Sequence, residues 1–321
     1  MFRNLKFLIT LLLLFLISAN VFSQAKPLAS FKIVPLGVKG GIDESNLSAY
    51  MVAAAGTNNY ICLDAGTLHY GIEKAISNKV FNIPAGQVLR QYIKGYFISH
   101  AHLDHIAGLI INSPDDTAKN IYALASCIKT IQANYFTWES WANFADEGEA
   151  PKLNKYHYQV LTPDSTIAIA NTAMTVQAFS LSHSNLISTA FLVQSHNAYI
   201  LYLGDTGADS IEKSHNLHNL WVAIAPLIKN KQLKAIMIET SFPDAQPDKT
   251  LFGHLTPKWL MNEMANLALL TGNKQLNGFN IIITHVKPPQ TNIDKLKIEL
   301  NNENLLKLNL IYPEQGKPIC L

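Results

Sequence analysis

Four side chains that can bind a metal lie within six residues of the sequence, directly after an apolar run. They are His100, His102, Asp104 and His105. Neutral imidazoles and carboxylates are ligands for zinc and neighbouring divalent metals. On an extended backbone, residues two apart point the same way, so His100 and His102 can hold one ion. Asp104 and His105 lie where the chain turns into a predicted helix, residues 106–111, and can hold a second ion beside the first.

Three further metal-binding candidates stand in a similar setting, at the end of an apolar strand and before a turn. They are His183, Asp205 and His285. A dinuclear site needs more ligands than the first four side chains supply. We therefore predict that these three residues converge on the same site.

The order H-x-H-x-D-H, His, Asp, His resembles the metallo-β-lactamase superfamily, from residue 33 to the C-terminus. Within it, residues 100–114, HAHLDHIAGLIINSP, are similar to the signature of the class II 3′,5′-cyclic nucleotide phosphodiesterases. Three further blocks resemble that family in the same order: GDTG at 204–207, ETSFP at 239–243 and GHLTP at 253–257. The resemblance implies the metallo-β-lactamase-like fold of the α/β class, an αβ/βα four-layer sandwich. It also implies two divalent metal ions, with zinc favoured and manganese or iron as alternatives.

The resemblance further implies how the seven ligands divide between the two ions. One ion takes His100, His102 and His183, the other takes Asp104, His105 and His285, and Asp205 bridges them. The two Asp carboxylates and a bridging hydroxide leave the two divalent ions with net positive charge, which suits a phosphodiester monoanion. The implied reaction is hydrolysis of 3′,5′-cyclic AMP, cyclic GMP or both to the 5′-monophosphate by the bridging hydroxide. Asp104 is therefore also a catalytic candidate.

A proton donor near the leaving 3′ oxygen is worth roughly 100- to 10,000-fold in rate, and His254 in the GHLTP block is the candidate. Glu239, at the end of a predicted strand, can orient this imidazole or raise its pKa. The alternative for His254 is a loop histidine that caps nearby backbone. Thr256 and Pro257 are typical of a helix N-cap followed by proline at the first helical position.

Two further residues near the predicted site are open to two interpretations each. The superfamily resemblance implies that Asp64 supports the metal ligands from behind, and a simple turn carboxylate is equally consistent with its position. Lys287 follows His285 and can lend positive charge to a phosphate, or it can be a solvated lysine before a helix. Of the histidines outside the motifs, His215 and His218 are predicted to be surface residues. The predicted roles of His69, His157 and His196 are surface or capping positions near turns.

The strand and helix pattern predicts two β-rich halves with helices outside. Predicted strands cover residues 31–37, 49–55, 60–63, 166–169, 175–181, 189–194, 198–203, 235–239 and 279–284. A segment at about residues 132–158 carries Trp138, Trp141 and Phe144, and is interpretable as a base-stacking lid, a homodimer contact or a small core under a long loop. No linker or repeat divides the chain, so residues 24–321 are predicted as a single metallohydrolase domain.

The N-terminus predicts export. Arg3 and Lys6 precede the apolar residues 7–17, and small or apolar residues precede Gln24, which is typical of a secretory signal peptide at residues 1–23. We therefore expect a periplasmic or secreted protein without a stable membrane anchor after cleavage. Removing the signal lowers Lys plus Arg from 25 to 23, against 23 Asp plus Glu. This neutral balance argues against a nucleic acid polymer as partner and is compatible with a small cyclic nucleotide substrate.

The cysteines exclude two kinds of structural site. Three cysteines without Cys-x-x-Cys spacing exclude a zinc knuckle and a disulfide framework. The sequence is also compatible with alternative functions. One is another hydrolase of the superfamily, acting on a phosphodiester, a lactone or a β-lactam. Two further alternatives are a non-catalytic metal- or nucleotide-binding protein and a diiron oxidoreductase on the same scaffold.

Overall fold

The computed structural model describes residues 29–321. The predicted signal peptide, residues 1–23, lies outside the described residues. Two seven-stranded sheets form the centre of the described chain. Their strands are β1 (Phe31–Gly37), β2 (Ala49–Ala54), β3 (Tyr60–Leu63), β4 (Ile93–Phe97), β5 (Lys119–Leu124), β6 (Tyr156–Leu161), β7 (Thr166–Ala168), β8 (Met174–His183), β9 (Leu186–Ser195), β10 (Ala198–Leu203), β11 (Leu233–Glu239), β12 (Asn280–Thr284), β13 (Asn309–Ile311) and β14 (Ile319–Cys320).

Each sheet combines antiparallel strands at one side with parallel strands at the other. The first sheet has the order β14-β1-β2-β3-β4-β5-β6, and the second has the order β13-β12-β11-β10-β9-β8-β7. The pairs from β3 to β6 are parallel, as are the pairs from β10 to β13. Because parallel neighbours end at the same edge of a sheet, the loops after β3, β4, β10, β11 and β12 can gather functional side chains.

Helices cover the outer face of each sheet. They are α1 (His69–Ser77), α2 (Leu103–Asn112), α3 (Ala125–Asn134), α4 (Asn216–Lys229), α5 (Pro257–Thr271) and α6 (Gln290–Glu303). Shorter helical turns are Ala85–Gln87, Val88–Tyr92, Asp209–Glu212, Asp248–Thr250 and Asn273–Leu276. In the part of the chain from residue 29 onward, no helix combines the length and apolar character needed to span a membrane.

Three apolar clusters define four layers. The first lies between the sheets, where the rings of Phe97 and Phe191 meet edge to face with centroids 5.5 Å apart. The second packs α1, α2 and α3 on the first sheet, with Ile106 fully buried. The third packs α4, α5 and α6 on the second sheet, around the buried Trp221. The helix, sheet, sheet, helix sequence of layers confirms the predicted αβ/βα sandwich.

Several elements differ from the sequence prediction. The helix predicted at residues 106–111 begins at Leu103, so Asp104 and His105 lie in its first turn. Strands β5, β6, β13 and β14 were not predicted. The aromatic segment, predicted at about residues 132–158, is irregular only between the end of α3 and the start of β6. The five histidines predicted as surface or capping residues are all exposed.

Candidate metal centre

The seven predicted metal ligands converge at the edge where the parallel strands end. Three groups of ligand atoms each lie within 4.8 Å of one another: those of His100, His102, His183 and Asp205, those of Asp104, His105 and His285, and those of Asp205, His254 and His285. Asp205 belongs to the first and third groups and also approaches the second. Its Oδ1 is 3.2 Å from Nε2 of His105, and its Oδ2 is 3.3 Å from Nε2 of His285 and 3.7 Å from Nε2 of His100. Asp205 is therefore the carboxylate that the histidines of the cluster share.

Strand ends from both sheets deliver these ligands. His100 and His102 follow β4, the latter on extended backbone, with ring centroids 4.5 Å apart, as the spacing of two predicts. His183 is the last residue of β8, and Asp205 follows β10 after one glycine. His285 directly follows β12, with a φ of 54° that turns the chain sharply at this point.

Hydrogen-bond partners at Nδ1 leave the Nε2 atoms of the histidines facing the cluster. Nδ1 of His105 lies 2.8 Å from Asp64, Nδ1 of His183 lies 2.8 Å from the Gly253 carbonyl, and Nδ1 of His285 lies 2.9 Å from Ser241 Oγ. Within residues 29–321, the buried Nε2 atom of His100 has no hydrogen-bond partner. Buried polar atoms without partners are costly. A set of imidazole nitrogens and carboxylate oxygens aimed at one point therefore fits divalent metal ions.

The electrostatics of the cluster also favour a cation. Burial lowers the pKa of His100 well below its ordinary value, which keeps this imidazole neutral, as a ligand must be. Burial also acts to lower the pKa of His105, but the carboxylates of Asp205, Asp64 and Asp104 outweigh it and raise that pKa well above its ordinary value. The three carboxylates thus attract positive charge to this point.

Asp64 supports the metal ligands from behind. It is fully buried, and it accepts hydrogen bonds from the Ser99 backbone N–H at 2.7 Å, the Ser99 hydroxyl at 2.8 Å and the Tyr202 hydroxyl at 2.5 Å. The same carboxylate lies 2.8 Å from Nδ1 of His105. Of the two interpretations of Asp64, the structure therefore supports the buttress and not the simple turn carboxylate.

His254 lies beside the metal ligands and is held at both ring nitrogens. Its Nδ1 lies 2.7 Å from Glu239 Oε1 and 3.9 Å from Asp205 Oδ2, and its Nε2 lies 2.9 Å from Lys287 Nζ. These contacts are with side chains, so the alternative of a backbone-capping loop histidine is wrong. Thr256 is the N-cap of α5 and Pro257 its first residue, but the Thr256 side chain makes no capping hydrogen bond.

Of the two roles predicted for Glu239, the contacts support orientation of His254. Glu239 also accepts hydrogen bonds from Ser241 Oγ at 2.6 Å and the Thr206 backbone N–H at 3.0 Å, which fix the carboxylate. The other role, a raised pKa for His254, is not what the structure gives. Burial lowers the pKa of His254 to about 4, while burial and the negative charge of Asp205 raise the pKa of Glu239 to about 7.

The aromatic segment before β6 is tied down on the first sheet. Phe136 is fully buried in the outer cluster. Trp141 donates its indole N–H to Ser113 Oγ at 3.0 Å, and Tyr135 donates its hydroxyl to the Ala101 carbonyl, between two metal-ligand candidates, at 3.0 Å. These contacts support a small core under a long loop around Phe136 and Phe144, while Trp138 and Trp141 themselves are exposed. The lid and the homodimer contact stay predictions.

Some residues that shape the centre were not predicted. Tyr202 and Ser99 reach Asp64, and Ser241 reaches both Glu239 and His285. Ser241 lies inside the ETSFP block, so the block itself was the available signal. Tyr202 stands among other apolar strand residues, and nothing in its local sequence marks its contact.

Comparison with known proteins decides the family. The sequence model described as "cAMP phosphodiesterases class-II" matches residues 29–311. The chain belongs to this family. A 3′,5′-cyclic-nucleotide phosphodiesterase of Aliivibrio fischeri is 43% identical over 315 residues, covering 92% of this chain and 94% of that protein. A probable 3′,5′-cyclic-nucleotide phosphodiesterase of Yersinia pestis is 39% identical over 316 residues, covering 94% and 92%. The family predicted from the sequence is therefore confirmed.

Solved structures agree on the fold of this class-II phosphodiesterase family member. The crystal structure of unliganded yeast PDE1 matches with a TM-score of 0.80 at 24% identity, covering 92% of this chain and 100% of that one. The metallo-β-lactamase fold protein YhfI of Bacillus subtilis matches with a TM-score of 0.61 at 17% identity, covering 91% and 99%. The predicted metallo-β-lactamase-like fold is thereby confirmed.

Proposed function

We propose that this protein is a dinuclear metallophosphodiesterase that hydrolyses 3′,5′-cyclic AMP, cyclic GMP or both to the 5′-monophosphate. The observation that carries the proposal is that Asp205 approaches both His100 and the pair His105 and His285, in a chain of the class-II cAMP phosphodiesterase family. The curated relatives bear the name 3′,5′-cyclic-nucleotide phosphodiesterase.

The proposed cofactor is a pair of divalent ions, with zinc favoured and manganese or iron as alternatives. His100, His102 and His183 would hold one ion, Asp104, His105 and His285 the other, and Asp205 would contact both. When bound, such a pair activates the attacking water and supplies positive charge for the phosphate. The chain itself needs no side-chain nucleophile.

Two residues outside the ligand set serve the leaving group in this proposal. His254 would deliver a proton from Nε2 to the 3′ oxygen as its bond to phosphorus breaks, because an unprotonated ribose alkoxide is a poor leaving group. Burial lowers the pKa of His254 to about 4 in the free site, so this role requires the negative charge of the bound phosphate to raise that pKa and protonate the imidazole. Glu239 accepts at Nδ1 of His254 and so directs Nε2 away from itself. Asp64 fixes the ring of His105 at Nδ1, and Ser241 fixes the ring of His285 in the same way. Both imidazoles are thus positioned before the substrate arrives.

The test is product identification on the purified protein supplied with zinc or manganese. Phosphorus NMR should show cyclic AMP or cyclic GMP converted to the 5′-monophosphate. Nitrocefin and a lactone serve as comparison substrates for the alternative hydrolases. If the cyclic nucleotides stay intact while a comparison substrate is consumed, the proposed function is wrong.

We also propose that the protein is exported to the periplasm or the medium. The proposal rests on the basic and apolar pattern of residues 1–23. Intact mass measurement of the protein recovered from its cells should give a chain that begins at Gln24. A chain that keeps the first 23 residues and stays in the cytoplasm would contradict export.

A further inference from the structure

Lys287 is not the solvated lysine that one interpretation of the sequence suggested. Its side chain is half-buried, with Nζ 5.1 Å from the centroid of the Phe242 ring and 2.9 Å from Nε2 of His254. Across the described part of the chain, no carboxylate forms an ion pair with this ammonium group. The positive charge is therefore held in place by an aromatic ring and an imidazole, with no anion beside it.

This unpaired charge stands one imidazole ring away from the metal-ligand candidates. The ring centroid of His254 is 4.8 Å from that of His183 and 5.2 Å from that of His285. An ammonium beside a centre built for two cations is repelled by them, and an anion bound between them lowers that repulsion. A phosphate group has oxygens enough to contact the centre and the ammonium at once, and lysine is a common phosphate ligand.

We propose that Lys287 binds a non-bridging phosphoryl oxygen of the substrate. In this arrangement the stem of Lys287 stays over Phe242, while the ammonium leaves Nε2 of His254 for the phosphoryl oxygen. While Lys287 contacts Nε2 of His254, that nitrogen cannot face the leaving 3′ oxygen. Once the ammonium has moved to the phosphoryl oxygen, Nε2 is free to do so. The proposal rests on the proposed function, because it assigns a role within the same site.

Inorganic phosphate is the probe, because its binding does not depend on turnover of any cyclic nucleotide. Calorimetric titration of the zinc-loaded protein should show that Lys287→Met weakens phosphate binding roughly 10- to 100-fold, the usual effect of losing a charge-assisted hydrogen bond. Lys287→Arg keeps the charge and should stay within a few-fold of the wild type. Lys74→Met is the matched control, since Lys74 also lies over an aromatic ring, Tyr70, at 5.0 Å, but on α1.

Kinetics with cyclic AMP separate phosphate binding from mere positioning of His254. Loss of phosphate binding should raise KM for Lys287→Met, and Lys287→Arg should restore it. If Lys287→Met binds phosphate as tightly as the wild type and lowers only kcat, Lys287 positions His254 and the proposal is overturned. Lys287→Gln, which keeps a polar end, repeats the titration should the methionine variant fold poorly.

The two proposals fail in different ways. If the protein binds phosphate through Lys287 but leaves cyclic nucleotides intact, the proposed function is wrong and the phosphate site stands. If the protein cleaves cyclic AMP but Lys287→Met binds phosphate as tightly as the wild type, the proposed function stands and this inference is wrong.

Discussion

The single side chain of Asp64 connects both sheets to the candidate metal centre. It receives hydrogen bonds from Ser99, after β4 of the first sheet, and from Tyr202, on β10 of the second, and it contacts His105. A buried carboxylate with this many fixed partners cannot turn away from the imidazole. The orientation of His105 toward the cluster is therefore set before any ion binds.

Asp64→Asn should weaken zinc binding. The amide replaces one carboxylate oxygen with a donor, so the contact with Nδ1 of His105 or a hydrogen bond from Ser99 or Tyr202 is lost. We expect the zinc affinity to fall roughly 10- to 100-fold, as for other residues that orient a metal ligand. Competition with a chromophoric chelator measures the change. Asp115→Asn is the control, because Asp115 is exposed and, within residues 29–321, pairs only with Arg90. Equal zinc affinity in both variants would contradict the role of Asp64.

His254→Asn should lower kcat most for substrates whose leaving group must be protonated. With cyclic AMP, we expect kcat to fall roughly 100- to 10,000-fold. With bis(p-nitrophenyl) phosphate, the loss should be much smaller, because p-nitrophenolate leaves without protonation. The zinc content should not change. The exposed His196→Asn is the control, and an equal loss on both substrates would show that His254 is not the proton donor.

The residues predicted from the sequence share a local signal, and the missed ones do not. Each metal-ligand candidate follows or ends an apolar strand, or lies in the dense block at residues 100–105, so its setting marks it without knowledge of the fold. Tyr202 reaches Asp64 only because β10 and β3 belong to sheets that pack face to face. The sequence did not decide between two roles for Lys287, because its contact with His254 joins two loops that are 33 residues apart in the chain.

At the scale of elements, strand ends carry the site and turns determine its shape. Gly40 follows β1 and packs against the ring of His285, where an added Cβ would lie 2.1 Å from Cε1. No larger residue fits without displacing that imidazole. The turn after β1 therefore helps to hold the last ligand of the chain, although it carries no ligand itself.

Gly40→Ala should weaken the ion held by His285. The methyl group pushes the imidazole out of reach of Asp104 and Asp205, whose oxygens lie 3.1 and 3.3 Å from its Nε2. Calorimetric titration with zinc should show one site kept and the other weakened. Gly86→Ala is the control, because its nearest neighbours are the mobile ends of Asp115 and Arg90. Two unchanged zinc sites would contradict this packing role.

The unpredicted strands explain where sequence patterns fail. The apolar pattern of β5 passes directly into α3 at Ala125 with no turn residue between them, so the boundary is hidden. β6 lies at the edge of the first sheet and alternates buried Tyr156 and Tyr158 with exposed His157. These three residues fall at the end of the segment assigned to the aromatic insertion. β13 and β14 have three and two residues, too few for a periodic pattern.

The whole molecule brings the ligands of two sheets to one point. His100 and His105 come from the first half of the chain, and His183, Asp205 and His285 come from the second. Ions bound between the halves would bind only the folded protein. A ligand with that preference raises the free energy of unfolding by roughly 4 kcal/mol at a thousand times its Kd.

Chelation should therefore lower the melting temperature of the zinc-loaded protein. Thermal unfolding with and without EDTA measures the shift, and the free-zinc concentration should set its size. In Asp205→Asn, which lacks the central carboxylate, EDTA should change the melting temperature much less. A wild type that melts at the same temperature with and without EDTA would show that the ions do not join the two halves.

The central claim is that seven side chains hold two divalent ions with Asp205 between them. Anomalous diffraction at the zinc edge, from crystals of the zinc-loaded protein, tests it most directly. The account predicts two peaks, one among His100, His102 and His183 and one among Asp104, His105 and His285, both in contact with Asp205. A single peak, or zinc bound away from Asp205, would contradict it.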